Sequence, residues 1–184
     1  MRLEQSLVLN RYLQSLLGVR DFSDLKHVLS GCKDGIGGDG QSHFFHALAS
    51  QKNIAISEET LGGYDARLMS YEVRLAKARG GFSFKYFQYI ALLYTEIFLD
   101  RLTAGPAQFL NELNSSLDKL KTREPSLRDF PGFAPEDLRR LAFFMATRSG
   151  KTLLLHVNLR QVLDYLDRGK HQGALVNQPD HRRL

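Results

Sequence analysis

Hydrophobic residues over the first two thirds of the chain recur at three- and four-residue steps, the spacing of one face of an α-helix. Residues 3 to 17 show this pattern, and Gly18 follows them as a helix terminator. The most apolar pattern covers residues 84 to 102, a length of about 19 residues that predicts the central helix of the core. The pattern therefore predicts a helical bundle.

Capping residues and helix breakers divide the remaining helical patterns. Ser23 is predicted to cap a short helix that ends at Gly31, and Ser57 opens a longer one that ends at Arg79. Leucines between residues 110 and 120 form another amphipathic pattern, which ends before the first of three prolines in residues 125 to 135. We expect an all-helical N-terminal domain over residues 1–133, with its boundary at these prolines.

The last part of the chain has a different pattern. Residues 141 to 144 are a short apolar run of the kind found in buried parallel strands, and residues 153 to 166 are helix formers without Gly or Pro. Strand, loop and helix in this order predict the incomplete start of an α/β domain over residues 134–184, with the only β structure near residues 141 to 146. The fold class is therefore mainly α. The tail from residue 170 is predicted to be a loop.

The loop between this strand and this helix is the one stretch whose residue types and spacing specify a chemistry. It comprises Met145, Ala146, Thr147, Arg148, Ser149, Gly150, Lys151 and Thr152. The ending is that of a Walker A loop: Gly150 lets the backbone approach phosphate, Lys151 reaches the β and γ phosphates, and the Thr152 hydroxyl ligates magnesium. We expect these eight residues to bind ATP, and Thr152 to hold Mg²⁺ through the nucleotide.

The loop and its surroundings, about residues 134 to 170, resemble motif I of the superfamily 2 helicases and translocases. The branch with the motor subunits of type I and type III restriction enzymes has a Met-Ala-Thr opening before Gly-x-Gly-Lys-Thr, and residues 145 to 147 match that opening. The resemblance implies a RecA-like fold, an ATP-hydrolysing parent protein and DNA as partner. A motor also needs an Asp-Glu box and a second RecA-like domain, which this sequence lacks, so we expect this chain alone to be inactive.

Two positions depart from the resemblance. Arg148 replaces the family's glycine, and a bulky side chain with negative φ is expected to strain the phosphate turn. Restoring glycine is then expected to tighten ATP binding ten- to a hundredfold; solvent exposure or a direct phosphate contact of Arg148 are the open alternatives. The upstream glutamine that reads adenine in such helicases has no counterpart between Gln108 and Gln161, which leaves Phe130 or Phe133 to stack on the base.

Charge and cysteine content limit the compartment and the partners. The net charge is +5, and residues 134 to 184 hold 9 basic and 5 acidic side chains, so the basic excess lies with the loop. The single Cys32 excludes an internal disulfide and suits the cytoplasm. Because residues 1 to 20 include four charged side chains and no apolar run approaches membrane length, we expect neither a signal peptide nor a membrane span.

Other candidate sites have a simpler structural explanation. His43 and His46 share a predicted helix face but lack further ligands for a metal. The glycine-rich residues 33 to 40 do not have the ligand spacing of a calcium loop. Tyr86 and Tyr89 beside Lys85 suit single-stranded nucleic acid, yet their helical pattern favours core packing.

Three function classes remain open. The first is the N-terminal portion of an ATP-dependent DNA helicase or translocase of the restriction or mobile-element type, whose helical module contacts DNA or a partner subunit. The second is a helical interaction protein with a vestigial P-loop. The third is a small P-loop kinase or phosphotransferase, for which the chain shows no acceptor site or lid.

Overall fold

The structure, a computed structural model, describes residues 7–176, and the side-chain environments of residues 7–169. Within these residues the chain forms seven α-helices and two short 3-10 helices. The α-helices are α1 (Val8–Leu16), α2 (Phe22–Leu29), α3 (His43–Ala49), α4 (Glu58–Arg79), α5 (Tyr86–Ala104), α6 (Pro106–Arg123) and α7 (Lys151–Val176), and the 3-10 helices are Pro125–Leu127 and Pro135–Arg139.

Helix α5 is the centre of the core. Every residue from 88 to 99 is buried, because α4, α6 and α7 pack around its circumference. A helix that is apolar on all sides is stable only when other elements cover all of it. The prediction of a central core helix is confirmed, and Tyr89 lies in this core with no exposed surface.

Two buried carboxylates connect the helices. Asp65 of α4 accepts hydrogen bonds from the backbone amide of Ser42 at 2.8 Å and from the hydroxyl of Tyr89 at 2.7 Å. Glu96 of α5 accepts one from Arg67 of α4 at 2.7 Å and one from Gln161 of α7 at 2.8 Å. Buried carboxylates are tolerated when an ion pair or hydrogen bonds compensate their burial: Glu96 is paired with Arg67, and Asp65 is hydrogen-bonded to Ser42 and Tyr89. These bonds fix α7 and α4 against α5.

The mainly helical fold class is confirmed, with corrections at the helix ends. Helix α1 covers residues 8 to 16 of the predicted 3 to 17, and residues 3 to 6 lie outside the described part of the chain. The cap of α2 is Asp21, whose side chain accepts from the amide of Asp24 at 2.9 Å, and not Ser23. The loop predicted from residue 170 is wrong as far as Val176, because α7 continues to that residue.

The strand expected near residues 141 to 146 is absent from the structure. Residues 141 to 146 belong to no helix or strand, and the described residues contain no strand with which they could pair. The odd-numbered side chains pack against the core, whereas Phe144 is 71% exposed. A strand needs a hydrogen-bonded neighbour, so the apolar pattern alone does not make one.

The residues on both sides of the expected domain boundary share one hydrophobic core. Leu138, Leu153 and Val157 belong to the same buried cluster as the residues of α1 to α6. Helix α7 packs chiefly on α5. Within residues 7–176, no helix has the length and apolar character required to span a membrane.

Candidate phosphate-binding loop

The candidate loop forms a tight turn immediately before α7. The amide of Ser149 donates to the carbonyl oxygen of Ala146 at 3.3 Å, which closes a four-residue turn. Arg148 has a φ of 66° and Gly150 a φ of 88°, both in the left-handed region. Left-handed residues at tight turns orient successive amides towards one concave face, the arrangement that binds anions.

The end of the loop coincides with the beginning of a helix. Gly150 accepts the first helical hydrogen bond, from the amide of Leu154 at 3.0 Å, and α7 begins at Lys151. The first amides of a helix have no intrahelical acceptor, and the helix dipole favours an anion beside them. Lys151 and Thr152 are exposed at this end. The first amides of α7 and the exposed side chains of Lys151 and Thr152 are therefore all at this end of the helix.

The structure corrects the conformation that we expected for Arg148. Its φ is positive and not negative, so the residue adopts the conformation that the family's glycine would take. It is the one non-glycine residue with positive φ in the described chain. A side chain there costs about 1–2 kcal/mol relative to the ordinary conformation. Arg148 is exposed, so the side chain extends away from the packed core.

A residue that contacts the loop and was not expected from the sequence is Gln88, at the start of α5. Its side-chain amide donates to the carbonyl oxygen of Ser149 at 3.0 Å, and its side-chain oxygen accepts from the amide of Lys85 at 3.0 Å. A β-carbon on Gly150 would lie 2.7 Å from the Gln88 amide nitrogen, so the Gln88 side chain would have to shift, and the positive φ of Gly150 also favours glycine. A glutamine therefore contacts the loop although none lies close to it in the sequence.

The two phenylalanines expected to stack on adenine lie next to α6. The backbone amide of Phe133 donates to the side chain of Asn114 at 2.7 Å, and its ring lies 6.1 Å from that of Phe130. In residues 7–169, no hydrogen bond or ring contact joins Phe130 or Phe133 to the loop.

An apolar groove begins beside the loop. It has a volume of about 550 Å³ and lies between α5, α7 and the extended segment, with Met145 and Lys151 among its lining residues. One apolar face of α7 is buried against α5, and the other is open to solvent and reaches this groove. Leucines of the open face are more than half exposed. These are Leu155, Leu159, Leu163 and Leu166.

The other candidate ligands form local pairs. His46 contacts the carboxylate of Asp39 at 2.9 Å, within the segment that includes the glycine-rich loop. No group of three or more His, Cys, Asp or Glu side chains in the described residues could hold a metal ion. Burial raises the pKa of the Cys32 thiol, which lowers its reactivity.

Comparisons of the chain with protein-family models, with curated proteins and with solved structures give no match.

Proposed function

We propose that the chain is the N-terminal portion of an ATP-dependent DNA helicase or translocase of the restriction or mobile-element type. Residues 145 to 152 bind ATP and Mg²⁺: backbone amides and Lys151 hold the phosphates, and Thr152 ligates the metal. The helical region contacts DNA or a partner subunit. The observation that carries the proposal is the position of Lys151 as the first residue of α7, directly after a turn with left-handed residues at 148 and 150.

A further observation supports this proposal. The Gln88 side chain contacts the loop, so a change of the loop on nucleotide binding would reach α5 through this hydrogen bond.

The second candidate is a helical interaction protein with a vestigial P-loop. Arg148 favours it, because a long side chain in a left-handed conformation replaces the glycine that a functional loop uses. The two candidates differ in whether Lys151 contributes to nucleotide binding.

Titration of the chain with a fluorescent ATP analogue, with and without Mg²⁺, tests the proposal. We expect Lys151→Ala to weaken binding at least tenfold, because the lysine is the cation nearest the phosphates. Thr152→Ala should reduce the effect of Mg²⁺. Lys52→Ala, which removes an exposed lysine in the turn after α3, serves as the matched charge control and should leave binding unchanged.

Phosphate release is measured with the same proteins, and release that depends on Lys151 would show that the loop acts on bound ATP. If wild type and Lys151→Ala bind equally weakly, the ATP site is refuted and the vestigial P-loop is favoured.

A further inference from the structure

A cleft of about 1000 Å³, lined mainly by polar and charged residues, lies between α1 and α6. Gln14, Tyr12 and Val19 are its most buried lining residues, and Tyr12 and Val19 belong to the hydrophobic core. A cleft of this size corresponds to the upper end of ligand sites in proteins, which are usually mostly apolar. Its polar lining therefore calls for a polar ligand.

One wall of the cleft is a continuous polar face of α6. The lining residues on this face are Asn111, Ser115, Ser116, Lys119 and Arg123. They follow each other at steps of one to four residues, and at 1.5 Å per residue the face is about 18 Å long. A face of this length offers contacts to an extended chain rather than to one small group.

The acidic side chains of the cleft are already engaged. Glu112 accepts hydrogen bonds from Tyr12 and from Arg101, the latter at 2.9 Å. Burial alone would raise the pKa of Glu112, but these hydrogen bonds and the Arg101 charge lower the pKa below its ordinary value. The Glu112 carboxylate therefore stays ionised, and these residues already use it as an acceptor. Asp21 accepts the amide of Asp24 at the start of α2.

Some of the basic and neutral polar side chains of the cleft are not engaged. In the described part of the chain, six lining residues make no side-chain hydrogen bond or ion pair: Asn10, Asn111, Ser115, Ser116, Lys119 and Arg123. The amides and hydroxyls among them can both donate and accept hydrogen bonds, whereas Lys119 and Arg123 are cations that only donate. The unengaged charges of the cleft are therefore positive, which favours an anionic ligand rich in acceptors.

An aromatic ring lies at the same cleft. Phe22, the first residue of α2, lines it and is 36% exposed. Nucleic-acid strands bind where cationic side chains follow the phosphates and aromatic rings stack on bases. The amide groups of Asn10 and Asn111 are suited to base edges.

We propose that this cleft binds a single strand of nucleic acid, with Lys119 and Arg123 on phosphates and Phe22 stacked on a base. A concave cleft between two helices admits one strand, whereas helices that read a duplex project into its major groove. This proposal deepens the proposed function, because it assigns the nucleic-acid contact to the helical region. Separate measurements test the cleft and the ATP site, so either can be refuted without the other.

Fluorescence anisotropy of a labelled 20-nucleotide single strand tests the proposal on the full chain without nucleotide. The double variant Lys119→Gln and Arg123→Gln should bind about ten- to thirtyfold more weakly at 0.1 M salt. It should also lower the slope of log affinity against log salt by about 1.4, because each phosphate contact on a single strand contributes about 0.7. Phe22→Leu keeps an apolar side chain but removes the ring, and should weaken binding about fivefold or more.

The matched control is the double variant Lys121→Gln and Arg128→Gln, which removes the same charge outside the cleft and should bind within twofold of wild type. The proposal is overturned if both double variants lose the same affinity, or if a duplex binds more tightly than the single strand. It is also overturned if Phe22→Leu has no effect and heparin competes for the cleft as well as the strand does. Loss of ATP binding in Lys151→Ala is measured separately. A chain that binds the strand but not ATP refutes the proposed function and leaves this inference standing.

Discussion

Replacement of Arg148 by glycine measures the strain of the phosphate loop directly. The left-handed conformation, with φ of 66°, costs a residue with a β-carbon about 1–2 kcal/mol. Glycine avoids this cost, but it also has more conformational freedom in the unfolded chain, which lowers the stability gain by about 0.4–1 kcal/mol. We therefore expect Arg148→Gly to raise the free energy of unfolding by about 0.5–1 kcal/mol. For a chain of this length, that corresponds to a melting temperature higher by about 1–4 °C.

The control is Arg148→Ala, which removes the charge but keeps the β-carbon, and should not stabilise the chain. Urea titration and thermal denaturation of the three proteins provide the measurement. The structure also revises the expected effect on ATP. If the loop has this left-handed conformation both with and without ATP, the strain is the same in both states, and the affinity should change less than about threefold. A tenfold or larger gain, or no gain in stability, would show that Arg148 does not have this conformation in the free protein.

Three further substitutions test other parts of the structure by urea denaturation. Gly150→Ala places a β-carbon 2.7 Å from the Gln88 amide nitrogen at a φ of 88°, and should lower the free energy of unfolding by about 1–3 kcal/mol; no loss would contradict this packing. Asp65→Ala leaves buried donors without an acceptor and should cost about 3 kcal/mol or more, whereas a loss below about 1 kcal/mol would refute the buried network. Burial raises the pKa of Glu72 although the Phe84 amide bonded to it lowers it, so the folded protein holds this proton to higher pH than the unfolded chain. The stability of wild type relative to Glu72→Gln should therefore fall as pH rises from about 4.5 through the raised pKa, and a pH-independent difference would exclude this.

The helices could be predicted from the sequence because their apolar faces and breakers are local features. The contacts of the loop could not, because Gln88 and Ser149 are 61 residues apart in the chain and nothing in a single sequence pairs them. The cap at Asp21 was missed because both Asp21 and Ser23 are capping residue types, and only the backbone conformation distinguishes them. Residues 141 to 146 show the opposite case: an apolar pattern gives strand character, but pairing depends on residues elsewhere.

The phosphate loop shows the same division. The sequence shows the residue types of Gly150, Lys151 and Thr152, and it predicts the helix that follows them. The positive φ of Arg148 is not, because sequence statistics assign such a residue to negative φ, and the turn closed by Ala146 and Ser149 overrides that preference.

The outer leucines of α7 set the colloidal behaviour of the chain. With a net charge of +5, copies of the molecule repel each other in dilute buffer and keep these apolar surfaces apart. Added salt shortens the range of this repulsion to about 10 Å at 0.1 M, while the attraction between apolar surfaces remains. Solubility should therefore decrease as ionic strength rises, opposite to the salting-in of a typical charged protein. Leu159→Lys should restore solubility at high salt, because it places a charge in the apolar surface.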